Sequence, residues 1–202
     1  GGLAKCGAAR KLCVFGCRET WDPQRPASCG EQSQMYVDAG CTCVYLEKPG
    51  APSVPELEEM AAYAKEKAVP VYMGYNKNVT KYGTDALAAE ASAGPGASTA
   101  FYHNNAYQKK ELPECFERNS EGMLKNMAIH ELALAATFFN MTADGMDKVT
   151  VNKDNSECLT LGDKTDFVKV EFTMTNKDGK SLTIFADRCG GATAHAVLSD
   201  KD

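Results

Sequence analysis

Residues 41–73, CTCVYLEKPGAPSVPELEEMAAYAKEKAVPVYM, constrain this chain more than any other stretch. CTCVYLE is rich in apolar and β-branched residues. That suits a strand buried on both faces, as parallel strands are. Ser53 is a good N-cap, and Glu56 three residues on makes a capping box. Pro55 is tolerated in the first turn. Leu57, Met60, Ala61 and Ala64 follow at helical spacing and predict one apolar stripe. VPVYM, residues 69–73, is a second short apolar strand. Strand, helix and strand in this compass form a βαβ unit, which is parallel and right-handed by rule.

Upstream, KLCVFGC reads as a short strand, RETWDPQRPASCGEQ as loop, and residues 31–39 as a helix ended by Gly40. Downstream, residues 80–93 form an Ala-rich helix that AGPGAS breaks. Thr99 to Asn104 reads as a strand, and QKKELPECFERNSEG as a long polar connection. Met123 to Phe139 reads as one helix, with Leu124, Met127, Ala128, Leu132, Ala135 and Phe139 apolar. The style then changes to KVTVN, ECLTL, FVKVEFTMT and SLTIFAD, strands separated by Asp, Asn and Gly turns. Val168, Val170, Phe172 and Met174 alternate with Lys169, Glu171 and Thr173, so one face of that strand is buried. NKDGK closes a hairpin. The expected architecture is α/β followed by α+β, the latter with a largely antiparallel sheet, and a boundary between residues 76 and 77.

The 202 residues, 44% of them hydrophobic, suffice for one sizeable core or two small ones. A net charge of −5 argues against a general nucleic-acid binder. No apolar run approaches the roughly 18 residues of a membrane span. The basic N-terminus has a short, broken apolar part, so we expect a cytoplasmic chain without a secretory signal. The nine cysteines have no framework spacing and no C-x₂-C pair. They are therefore expected to be reduced thiols, with a cysteine-based redox or metal protein as the remote alternative. The sequons at Asn78 and Asn140 read as chance matches.

Ligands of open parallel sheets bind at the carboxyl ends of the strands. Glu47, Lys48 and Pro49 follow the first strand of the βαβ unit, and Tyr75, Asn76 and Lys77 follow the second. Neighbouring strands would let both clusters line one crevice. A third cluster is GMLKNMAIHELAL, in which Asn126 and His130 are four residues apart and share a face if the helix is continuous. His130 is the side chain there suited to proton transfer near neutral pH. Taken singly, a lysine at a loop start is ordinarily solvated, and a lone helical histidine is ordinarily bonded within the packing.

Together, LEKPG, GYNK and GMLKNMAIHELAL, in this order and spacing, resemble the glucose-fructose oxidoreductase / inositol dehydrogenase (Gfo/Idh/MocA) family. The resemblance runs from about Glu31 onward. It implies an oxidoreductase using NAD or NADP on sugars, polyols or related hydroxy compounds. It also implies a partial Rossmann-type domain over residues 1–76 and a substrate and oligomerisation domain over 77–202, with homo-oligomers formed through the C-terminal sheet. Carried over by position, Lys48 would orient the reacting hydroxyl beside the nicotinamide, and His130 would be the general base. Glu47 and Pro49 would shape the nicotinamide-ribose side, and Tyr75, Asn76 and Lys77 the substrate or cofactor pocket. Asn126 stands where the family often has Asp. The sequence holds no G-x-G-x-x-G after a strand, so the expectation is a chain truncated at the N-terminus and at the C-terminus too. A non-catalytic remnant, acting as a binding or dimerisation module, is the alternative.

Overall fold

Val44 and Leu46, 0% and 1% exposed, mark β2 (Cys43–Leu46) as the buried centre of a three-stranded parallel sheet. A computed structural model describes residues 12–15 and 29–199. The chain divides into two compact units, Gly1–Tyr75 and Asn76–Asp202. In the first, β2 lies between β1 (Leu12–Phe15) and β3 (Val71–Met73), both parallel to it. Helix α1 (Cys29–Asp38) precedes β2, and α2 (Val54–Glu66) links β2 to β3. The βαβ unit expected from sequence is therefore present.

Its details differ from the sequence pattern in three ways. Ser53 is the N-cap of α2 with an extended backbone, but its hydroxyl donates to Glu56 Oε1 at 2.7 Å instead of accepting a backbone N–H. The capping box does not form. Ser53→Ala is accordingly expected to cost only about 0.5 kcal/mol, the low end for a cap, read from the urea midpoint. Ala61 is exposed, and the stripe on α2 narrows to Leu57, Met60 and Ala64. Met60 packs with Leu46 and Ala51. Cys41 is disulfide-bonded, against the expectation of reduced thiols throughout, while Cys43, Cys115, Cys158 and Cys189 are free. Pairing depends on which sulfurs the fold brings together, and sequence spacing does not reveal it.

The second unit is built on a six-stranded sheet. Its central strand is β7 (Lys164–Asn176), antiparallel to β5 (Met146–Val151), β6 (Glu157–Leu161) and β8 (Ser181–Asp187). β8 runs parallel to β4 (Ser98–Asn104), which pairs antiparallel with β9 (Ala194–Ser199). β9, at residues 194–199, is the strand that the sequence pattern missed. The alternation in β7 holds: Val168, Val170, Phe172 and Met174 are all buried. The β7–β8 hairpin closes through Asn176, whose Oδ1 accepts from the amides of Asp178 and Lys180 at 3.0 and 2.9 Å.

One face of this sheet carries the core. Phe101, Ile184, Leu182, Val170, Phe172 and Met174 pack against Met123, Met127, Leu134, Ala135 and Phe139 from the helical side. Helix α3 (Lys81–Ala93) follows a 3₁₀ turn at Asn76–Val79. The supposed polar connection contains α4 (Leu112–Arg118), in which Leu112, Cys115 and Phe116 are buried at helical spacing. Charged neighbours hid that three-residue stripe.

The helix expected over Met123–Phe139 is two. α5 (Met123–Asn126) stops, and α6 (Ile129–Phe138) starts after a break at Met127 and Ala128. The Met123 carbonyl accepts from both the Met127 and Ala128 amides, at 2.8 and 3.0 Å. The second bond spans five residues, a π-type turn. The break lets Met123, Met127 and Ala128 all reach the core.

Candidate functional site

In the first unit, the carboxyl end of β2 runs into Glu47, Lys48 and Pro49. Glu47 is exposed, while Lys48 and Pro49 are half-buried. The Lys48–Pro49 peptide is cis, and Gly50 follows at φ +88°. A Cβ at Gly50 would stand 2.6 Å from the Met73 methyl, so this turn closes against β3 only because the position is glycine. Gly74 after β3 is equally close-set: a Cβ there would meet Glu47 Oε2 at 3.0 Å and Tyr45 Oη at 3.1 Å. Burial, then the Glu47 charge and hydrogen bond, raises the pKa of the Tyr45 hydroxyl. Tyr75 is half-buried, and burial raises its pKa too. The ends of β2 and β3 thus bring Glu47 beside Gly74, on adjacent strands.

The second unit holds the other candidates. Asn76 is exposed on the 3₁₀ turn. Lys77, on the same turn, reaches α6: its Nζ donates to Glu131 Oε1 at 2.5 Å. The other Glu131 oxygen lies 3.0 Å from Nδ1 of His103 on β4. Glu131 is 0% exposed, Lys77 12% and His103 17%, so three ionisable groups share one nearly dry spot. His130, next to Glu131 on α6, places its ring 6.1 Å from that of His103, the planes tilted by 58°.

The charges in this cluster are set by competing effects. Burial would push the Glu131 carboxyl up, but the hydrogen bond and charge of His103, and then Lys77, outweigh it and hold it below the usual value. Burial pushes Lys77 down, with Glu131 opposing. Tyr82 on α3 is pushed up to about 12, first by burial and then by the Glu131 charge. Glu131 is therefore an anion, and an ionised carboxylate only accepts. Nδ1 of His103 therefore donates to Glu131, and Nε2 is the accepting nitrogen only when the ring is neutral.

One expectation about this site changes. Asn126 and His130 do not share a face of one helix, because the break at Met127 and Ala128 lies between them. Asn126 instead donates to Glu121 Oε1 at 2.9 Å. Lys77, which the resemblance places in the substrate or cofactor pocket, is ion-paired to Glu131. Sequence reasoning missed Glu131 and His103. Glu131 did leave a signal: it stands in the buried stripe with Leu134 and Ala135, and an acid at such a position needs a partner. His103, 28 residues away, left none. Among the described residues, no group of three or more His, Cys, Asp or Glu is arranged to hold a metal ion. No helix among them is long and apolar enough to cross a membrane.

Solved structures share this fold. The NAD binding oxidoreductase from Klebsiella pneumoniae matches 85% of this chain and 48% of its own at 17% identity, with a TM-score of 0.60. The UDP-N-acetylglucosamine 3-dehydrogenase GnnA from Acidithiobacillus ferrooxidans matches 88% and 54% at 16% identity, with a TM-score of 0.61. The myo-inositol dehydrogenase from Corynebacterium glutamicum matches 86% and 53% at 16% identity, with a TM-score of 0.58. The chain thus spans about half the length of the solved structures it matches. No family model and no curated protein sequence matches it.

Proposed function

We propose that this chain belongs to the Gfo/Idh/MocA oxidoreductases and serves hydride transfer between a nicotinamide cofactor, NAD or NADP, and a sugar, polyol or related hydroxy compound. One observation carries the reading. The E-K-P turn ends a parallel strand, and a histidine-bearing helix follows in the second unit, within a fold shared with NAD-binding dehydrogenases. Two of those structures are named for myo-inositol and UDP-N-acetylglucosamine, both bearing ring hydroxyls.

The residues at the ends of β2 and β3 fit the nicotinamide-ribose side of a dinucleotide. A half-buried cation, Lys48, and a half-buried phenol, Tyr75, stand beside tightly closed glycine turns. The glycine turn that cradles pyrophosphate in such folds is not among the described residues. A bound nicotinamide would supply the hydride acceptor. Lys48 would donate a hydrogen bond to the reacting oxygen and hold its developing negative charge. His130 would take the hydroxyl proton in oxidation and return it in reduction. Glu47 and Pro49 would shape the ribose side, and Tyr75, Asn76 and Asn126 would contact substrate. Lys77 would act through Glu131.

The test is substrate-dependent NADH or NADPH formation by the 202-residue chain across a panel of sugars and polyols. Lys48→Met is expected to lower kcat by about 10²–10³-fold, the usual loss when one oxyanion donor is removed. Failure of the wild-type chain to turn over any of them with either cofactor would overturn the reading.

A specific feature also supports self-association. The face of the second sheet opposite its core carries Tyr102 stacked on His195 at 4.7 Å, Phe185 at 5.4 Å from Tyr102, and Val197, 42% exposed. We propose that this face meets a second copy of the chain, whether the chain is an enzyme or a non-catalytic module. Tyr102→Lys is expected to halve the mass seen by light scattering. An unchanged mass would count against it.

A further inference from the structure

We infer that His103 is the proton relay for His130, with Glu131 as the group that fixes its tautomer. The inference rests on the oxidoreductase reading, in which His130 collects a proton at each turnover and must pass it on. The acceptor has to be a base close by, in a defined protonation state, with a route to water.

His103 meets each requirement. Its Nδ1 is held 3.0 Å from Glu131 Oε2. Glu131 is fully buried and ionised, and Lys77 neutralises its other oxygen from the 3₁₀ turn. That bond places a proton on Nδ1, so in the neutral ring Nε2 is the nitrogen that can accept. The ring centres of His103 and His130 are 6.1 Å apart, close enough for a proton to pass between facing nitrogens directly or through one water. At 17% exposure, the His103 side chain has an edge to solvent. The groups facing it are Glu131 and His130 on α6, Lys77 on the 3₁₀ turn, and Tyr82 on α3 beside Glu131.

The step balances. In oxidation the proton of the breaking substrate O–H bond would go to His130, and a bound nicotinamide would supply the acceptor for the carbon's hydride. His130 would then give the proton, directly or through a water, to Nε2 of His103. The resulting imidazolium faces the Glu131 carboxylate, and the proton leaves to solvent from the exposed edge. Reduction runs the same path backwards. His103 is thus a positioning and relay residue, touching neither substrate nor cofactor.

The chain has three histidines, so nitrogen-15 spectra of the imidazoles are readily resolved. The experiment uses the full chain with labelled histidine and compares wild type with His103→Asn. The asparagine keeps a donor where Nδ1 stands, so the bond to Glu131 survives while the relay nitrogen is lost. The wild type is expected to show neutral His103 protonated at Nδ1, and His103 and His130 titrating as a coupled pair. In the variant His130 should titrate in a single step, with His195, on the far face of the sheet, unchanged. Where turnover is measurable, the variant should lower kcat more than it alters KM, and added imidazole should restore part of the loss. Neutral His103 protonated at Nε2, or an identical His130 curve in the variant, would overturn the relay. Absence of turnover in the wild type would instead count against the oxidoreductase reading, and the spectra would then decide the relay alone.

Discussion

Replacing Glu131 by leucine is expected to destabilise the second unit by about 3–5 kcal/mol, the usual cost of breaking a buried ion pair from one side. The carboxylate is 0% exposed and holds both Lys77 and His103. Leucine fills the volume but leaves the Lys77 cation without its counter-charge. Adding Lys77→Met should recover much of the loss, since a buried pair replaced by apolar groups is often near neutral. The pH dependence has a definite sign. The folded pKa of Glu131 lies below its ordinary 4.5, so the unfolded chain binds the proton more tightly. Its stabilisation is full above pH 4.5 and is lost as pH falls through the folded value. Lys77, pushed below its ordinary 10.5, acts only in the alkaline range, so Glu131 governs on the acid side. Urea melts from pH 7 down to 3 should therefore show the wild type losing more stability than the leucine variant. A leucine variant as stable as wild type at pH 7 would show that the pair stabilises nothing.

Asp166→Ala is expected to cost a similar 3–5 kcal/mol by stranding the buried Arg188 guanidinium. Arg188, 1% exposed, donates to Asp166 Oδ2 at 2.5 Å, to the Phe167 carbonyl at 3.1 Å and to Cys115 Sγ at 3.0 Å. Its guanidinium also lies 5.5 Å from the centre of the Phe116 ring. Asp166 accepts in addition from the Met123 amide at 3.0 Å, the first residue of α5. Its loss should free that amide as well as the guanidinium. Hydrogen exchange should then quicken at the start of α5 along with the drop in the urea midpoint. A variant that loses stability but keeps a protected Met123 amide would show that Asp166 serves Arg188 alone.

The sequence by itself determined the elements that follow from local periodicity. The parallel βαβ unit was legible because CTCVYLE, a capped amphipathic helix and VPVYM each satisfy a short-range rule. β7 was legible because Val168, Val170, Phe172 and Met174 alternate without interruption. The E-K-P turn and the histidine helix were legible as motifs, and with them the fold class. What failed did so where local and global preferences compete. Residues 123–139 satisfy a single helical pattern, yet burying Met123, Met127 and Ala128 together requires a break. That break decided that Asn126 turns to Glu121 and not to a face shared with His130.

Only the tertiary structure decided what surrounds His130. Lys77, His103 and Glu131 come from a 3₁₀ turn, a strand and a helix, separated in sequence by up to 54 residues. No helical or strand period links them. What brings them together is the packing of α6 and the 3₁₀ turn beside β4, and what binds them is the cost of burying a carboxylate without partners. Lys48 and His130 could be singled out as candidates from the sequence because motifs are local. The partners of Glu131 could not, because burial is a property of the whole fold.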